Sequence, residues 1–262
     1  PRVLFDEAHN NFHTTTGRYK PFSDLITNDG YHVVRNRKTF AKTALNTFKV
    51  LVIANAIGAE DMDEDGADSS AFTEEECDTV RDWVKGGGAL LLIADHAPFG
   101  GAAANLAKRF GVDMSKGFTF DEENQVKELG APSILLYSRE NKLLLDHAIT
   151  RGRNDTEKLN RVIAFTGQSL KGPEGSSVFL NLADTAKDKA GRESPDSVSA
   201  AGRAQGIAFK FGSGRVVVLG EAAMLSAQVT GSERRPMGMN FPGTDNRQLA
   251  LNIMHWLSGL LK

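Results

Sequence analysis

Short apolar runs recur along the chain, each followed by a polar loop and then a stretch with apolar residues at helical spacing. Residues 2–5 (RVLF) read as a buried strand, and 31–35 (YHVVR) alternate as a strand does. The runs 49–55 (KVLVIAN) and 89–94 (ALLLIA) are continuously apolar, as strands covered on both faces are. A further run, 215–219 (RVVVL), has the same character. Between them lie helical patterns. Residues 20–30 end at Asn-Asp-Gly, a stop signal. Residues 73–88 begin with Thr73 and Glu76 at capping-box spacing and end in a glycine run, with Val80, Trp83 and Val84 as the buried stripe. Residues 100–111 form a small-residue helix, and 245–261 a closing amphipathic one. This alternation predicts one α/β domain over 1–262, with a mainly parallel sheet and helices on both faces.

The middle of the chain is less regular. Residues 133–138, 161–170 and 176–184 read as strands, and 187–203 as a mobile polar loop. Residues 204–224 read as two strands joined by Gly-Ser-Gly, a hairpin signal. The segment 231–246, with two prolines, three glycines and Met237 and Met239, is expected to act as a lid.

Composition narrows the function. With 262 residues, 40% hydrophobic, the chain can bury a sizeable core. A net charge of −2 leaves no footprint for nucleic acid, and no run is long enough to span a membrane. The single cysteine, Cys77, rules out an internal disulfide and a Cys-rich zinc site. The start at Pro1 reads as a mature end or an arbitrary boundary, and leans towards a periplasmic or secreted protein. The oligomeric state is not legible.

In an open parallel sheet, ligands bind beyond the carboxyl ends of the strands. Asp6, Glu7, His9, Asn10 and His13 follow the first strand, Asn55 the third, Asp95 and His96 the fourth, and Glu221 the 215–219 strand. Strands sharing a direction bring these groups to one edge. Each also has a structural reading, as a turn cap or a hydrogen-bonded core residue. His32 and His255 read as structural, and His147 is left open. No G-x-S-x-G elbow, P-loop or G-x-G-x-x-G is present.

Together, FDEAHNNFH, ADHAPFGGAAANLAKRFG, HAIT, TGQSL and GEAAM resemble the DUF4350-type, class I glutamine amidotransferase-like domains, related in fold to ThuA-like and gliding-motility proteins. The resemblance implies a flavodoxin-like three-layer α/β/α sandwich. It does not imply glutaminase activity. The strand-to-helix turn that carries the family's nucleophilic cysteine reads ADHAPFGG here.

Two readings follow. The first is a metal-assisted hydrolase of a small ester, phosphoester or glycosyl substrate. Glu7, His9, His13, His96 and Glu221 would supply ligands for a divalent ion such as zinc. Asp6, Asp95 and His96 would do the proton transfers, and Asn10, Asn55, Asn240 and Asn246 would bind a small-molecule or carbohydrate substrate. The second is a non-catalytic sugar- or peptide-binding domain. A plainer option is a subunit of a transport or surface complex whose polar strand ends form only a structural network.

Overall fold

Five of the apolar runs lie side by side in the computed structural model, which describes all 262 residues. They are β1 (Arg2–Asp6), β2 (His32–Asn36), β3 (Val50–Ala54), β4 (Ala89–Ile93) and β14 (Gly214–Leu219), in the spatial order β2-β1-β3-β4-β14, all parallel. They match the sequence expectation to within one or two residues at each end. Beyond β14 the sheet turns antiparallel through β13 (Ala204–Phe211), the partner in the expected hairpin. It then continues to β9 (Leu170–Lys171) and β5 (Asp113–Met114), while β10 (Ser177–Asn181) also pairs β13. The molecule is therefore a mixed α/β structure whose large sheet is parallel through its first five strands.

Four of the six helices form where capping and periodicity predict; the short ones at 42–45 and 148–151 were not read from the sequence. The six are α1 (Lys20–Asn28), α2 (Lys42–Leu45), α3 (Glu74–Lys85), α4 (Phe99–Arg109), α5 (Ala148–Arg151) and α6 (Asn246–Ser258). The capping box of α3 is complete: the Glu76 N–H donates to Thr73 Oγ1 and the Glu76 carboxylate accepts from the Thr73 N–H. Strand residues alternate between two cores. Val3, Phe5, Val52, Leu91, Ile93 and Leu219 pack with Tyr19, α1 and α6. Leu4, Leu51, Ile53, Leu92 and Val218 pack with α3 and α4.

Two expectations change. The loop 187–203 contains β11 (Lys187–Lys189) and β12 (Val198–Ser199), which join β6 (Phe118–Phe120) in a small sheet. The segment 231–246 is partly the second arm of a hairpin, β15 (Ala227–Thr230) with β16 (Arg235–Gly238). Met237 and Phe241 there pack on Ile163 and Phe165 of β8 (Arg161–Phe165), itself paired with β7 (Ile134–Ser138). Helical or strand pairing of polar segments depends on partners distant in sequence, which is why local composition did not show it.

Candidate functional site at the strand ends

Strand pleat decides which of the end residues meet. In β1, Val3 and Phe5 face the α1/α6 core, so Asp6 faces α3. In β4 and β14, Ile93 pairs with Leu219 and both face α1 and α6, so Asp95 and Glu221, two residues on, return to that face. The acids expected at one edge thus share that edge but lie on opposite faces of the sheet.

On the α3 face, Asp6, His9 and Glu76 form a buried chain. His9 Nδ1 lies 2.8 Å from Asp6 Oδ2, and His9 Nε2 lies 2.9 Å from Glu76 Oε1. The ring is wedged between Phe40 and Phe72, 4.7 Å from each. Burial alone would lower the imidazole pKa, but the two carboxylates raise it above the ordinary value. Burial would likewise raise the Glu76 pKa, yet the His9, Thr73 and Phe40 hydrogen bonds hold it below the usual range. Asp6 also accepts from Asn36 Nδ2 at 3.1 Å. Both ring nitrogens of His9 and all four carboxylate oxygens of Asp6 and Glu76 have partners within the fold. Glu76 was legible only as a helix cap.

Glu7 is pinned as well. It accepts from the Thr15 N–H at 2.8 Å and from Arg35 Nε at 2.7 Å. Despite the opposing effect of burial, these partners lower its pKa. His13 is 3% exposed and stacks on Tyr19 with centroids 4.6 Å apart, yet neither ring nitrogen has a partner. Burial, reinforced by Arg18, holds its pKa down at about 3, so the ring is neutral.

On the α1/α6 face, Asp95 and Glu221 are both buried carboxyls. Asp95 Oδ1 accepts from the His96 N–H at 2.8 Å, and the Asp95 N–H donates to Asn55 Oδ1 at 3.0 Å. Asn55 adopts φ +50°, and its Nδ2 is buried without a partner. Glu221 accepts from the N–H groups of Ala223 at 2.6 Å and Met224 at 2.7 Å. Burial pushes Asp95 up to about 6. Burial first, and Asp95 second, push Glu221 well above its ordinary range. Tyr19 closes over this corner, its hydroxyl donating to the Ala222 carbonyl at 2.7 Å. Gln168 locks the turn after β4. Its Nε2 donates to the carbonyls of Ala94 and Asp95, both at 2.9 Å, and its Oε1 accepts from the Lys116 N–H at 2.8 Å. The motif TGQSL contained this residue without revealing its role. His96 is half-buried, stacked on Phe118 at 4.5 Å, with Nδ1 2.7 Å from the Ala97 carbonyl.

The residues read as a metal set are therefore dispersed. Glu7 and His9 have protein partners, His13 lies under Tyr19, His96 lies on Phe118, and Glu221 faces inwards. No group of three or more His, Cys, Asp or Glu side chains comes together to hold a metal ion. The donor set does not fit a resident cation. Asn246 is corrected to a structural role: fully buried, it accepts from the Ile163 N–H at 3.0 Å and donates to the carbonyls of Ile163 and Met224. Asn240 is exposed, with Nδ2 donating to the Gln228 carbonyl at 3.0 Å.

A hollow of about 320 Å³ opens at the ends of β1 and β3, lined by Glu7, Asn10, Asn11, Phe12, Ile57, Glu60, Asp61 and Met62. Asn10, Glu60 and Asp61 are exposed there. Arg18 lies 4.0 Å over the Phe12 ring beside it. Larger hollows, of about 540 and 530 Å³, lie away from these strand ends, beside residues 187–199.

No family model matches the sequence, and no curated protein does either. Solved structures do match in shape. The mmIFT52 N-terminal domain superposes with a TM-score of 0.68 at 15% identity, covering 98% of this chain and 97% of that one. The cytoplasmic protein STM3548 from Salmonella typhimurium gives 0.57 at 12% identity, covering 98% of each chain. A putative ThuA-like protein from Bacteroides uniformis gives 0.49 at 13% identity over 98% and 90%, too low to argue from. The first two likenesses show a shared fold over the whole chain and nothing of its chemistry.

Proposed function

We propose that this protein binds a small polyhydroxylated ligand, of the carbohydrate class, in the hollow at the ends of β1 and β3, without transforming it. The observation that carries this reading is how the strand-end residues are divided. The imidazole and carboxylates of the α3 face are consumed by one another, whereas the open hollow presents the exposed Asn10 amide and the exposed carboxylates of Glu60 and Asp61, of which Asp61 accepts only from the Asp63 N–H. Glu60 and Asp61 accept hydroxyl protons, the Asn10 amide both donates and accepts, and Phe12 and Met62 supply an apolar flank. Hydroxyl-rich ligands need this mixture. Calorimetric titration with a panel of mono- and disaccharides tests it. At least one sugar is expected to bind saturably. Asn10→Gly, which keeps the φ of +49° found there, and Asp61→Ala should each weaken that sugar about tenfold, equivalent to roughly one hydrogen bond, with the melting temperature unchanged. Absence of saturable binding across the panel, or equal binding by both variants, overturns the reading.

One observation favours a second reading, hydrolytic acid–base chemistry. Asp95, pushed up to about 6 by burial, and Glu221, raised by burial and by the Asp95 charge, lie beside the half-buried His96 that follows Asp95, and raised carboxyl pairs serve as proton donors in acid catalysis. Release of nitrophenol from glycoside or ester substrates, abolished in His96→Ala with folding retained, would favour it over binding alone.

A further inference from the structure

Near the opposite end of the sheet, residues 208–210 of β13, the start of β10, the residues around α5 and Trp256 of α6 frame a separate hollow of about 450 Å³. It is lined by His147, Arg151, Ser177, Lys210, Trp256 and Lys262, with Asp146 and Phe209 among the remaining lining residues. The whole chain carries a formal charge of −2, yet this lining holds three cations and one acid. That acid, Asp146, is already paired with Arg151, while Lys210 and Lys262 form no ion pair within the protein. The floor is aromatic. His147 meets Trp256 edge-on at 5.5 Å and stacks on Phe179 at 6.1 Å. The ring is oriented by its own backbone, because Nδ1 accepts from the Ile149 N–H at 3.2 Å. The proton of the neutral imidazole therefore resides on Nε2, which has no partner in the protein. Burial, with Arg151 adding to it, lowers the pKa to about 4 and keeps this tautomer neutral near pH 7.

We infer that this hollow is a binding site for a small anion of the phosphate or carboxylate class, held by Arg151, Lys210 and Lys262, with the Ser177 hydroxyl and the His147 Nε2–H as neutral donors. A concave surface with cations on its walls and a low-dielectric aromatic floor concentrates anions, and a cation unspent on internal pairing is free to bind one. The site is independent of the strand-end hollow and shares no residue with it.

Trp256 provides the readout. The chain has two tryptophans, so a Trp83→Phe variant leaves Trp256 as the only indole. Its fluorescence is followed while inorganic phosphate, and in a second series succinate, is added at constant ionic strength set with sodium chloride. A saturable change with at least one of them is expected, and which one responds distinguishes the phosphate from the carboxylate source. In the same background, Arg151→Ala with Lys210→Ala should raise the half-saturation concentration at least tenfold; both side chains are exposed, so the melting temperature should hold. A response no larger than that to chloride, or one unchanged by the double substitution, overturns the site.

Discussion

Two histidines four residues apart illustrate how little residue type says about role. His9 is buried between two carboxylates, and His13 is buried with no partner at all. Their replacement by phenylalanine should diverge. His9→Phe leaves Asp6 and Glu76 facing each other without a cation and is expected to cost about 3 kcal/mol or more in urea unfolding. His13→Phe removes an unsatisfied imidazole from a stack on Tyr19 and should be neutral, or stabilising by up to about 1 kcal/mol. Asp95 gives a prediction with a sign. Its folded pKa, about 6, lies above the ordinary carboxyl value of 3.8, so between those values the native state holds a proton that the unfolded state has released. Stability from this group is full below about pH 4 and is lost as pH rises through about 6. Asp95→Asn keeps an acceptor for the His96 N–H and cannot ionise. The variant should therefore gain on wild type across that window, by at most about 3 kcal/mol at pH 7. Paired denaturation curves at pH 4 and pH 7 measure it; a constant difference would show that Asp95 does not titrate there. The sequence named Asp6, His9, Asp95 and Glu221 as strand-end residues correctly. It did not show their division between faces, because VLVIA and ALLLI are apolar on both sides and hide the pleat.

Elements were more legible than residues because each carried its own punctuation. Thr73 and Glu76 specify the start of α3, and the structure makes both hydrogen bonds of the box. Glu76 has a further task as partner of His9, so Thr73→Ala, ordinarily a loss of about 1 kcal/mol, should cost more than that in thermal unfolding. The small residues opening α4 have a reason that spacing alone did not supply. A Cβ on Gly100 would sit 2.3 Å from Gln168 Nε2, the amide that ties the β4 turn to Lys116. Gly100→Ala should therefore destabilise the protein despite the better helix propensity of alanine, by about 1–3 kcal/mol. A gain in melting temperature would show that Gln168 moves aside freely. Short strands such as β5 and β11 escaped notice for the opposite reason: their pairing comes from partners tens of residues away.

At the scale of the whole molecule, the alternation of apolar runs and capped helices was enough to recover five parallel strands and the four longer helices. The dispersion of the donor residues carries a further prediction: dialysis against EDTA should leave the melting temperature and any sugar binding unchanged. A loss restored by zinc would show a site assembled only when the ion is present. The order β3-β4-β14 also places next to β4 a strand that follows it by more than 100 residues of chain. During synthesis, β4 is complete long before its neighbour exists. For that interval one edge of this strand of wholly apolar side chains offers unpaired N–H and C=O groups to whatever is nearby, including another unfinished copy. Pairing so distant in sequence slows folding, and the β4 edge stays open until residues 214–219 have left the ribosome.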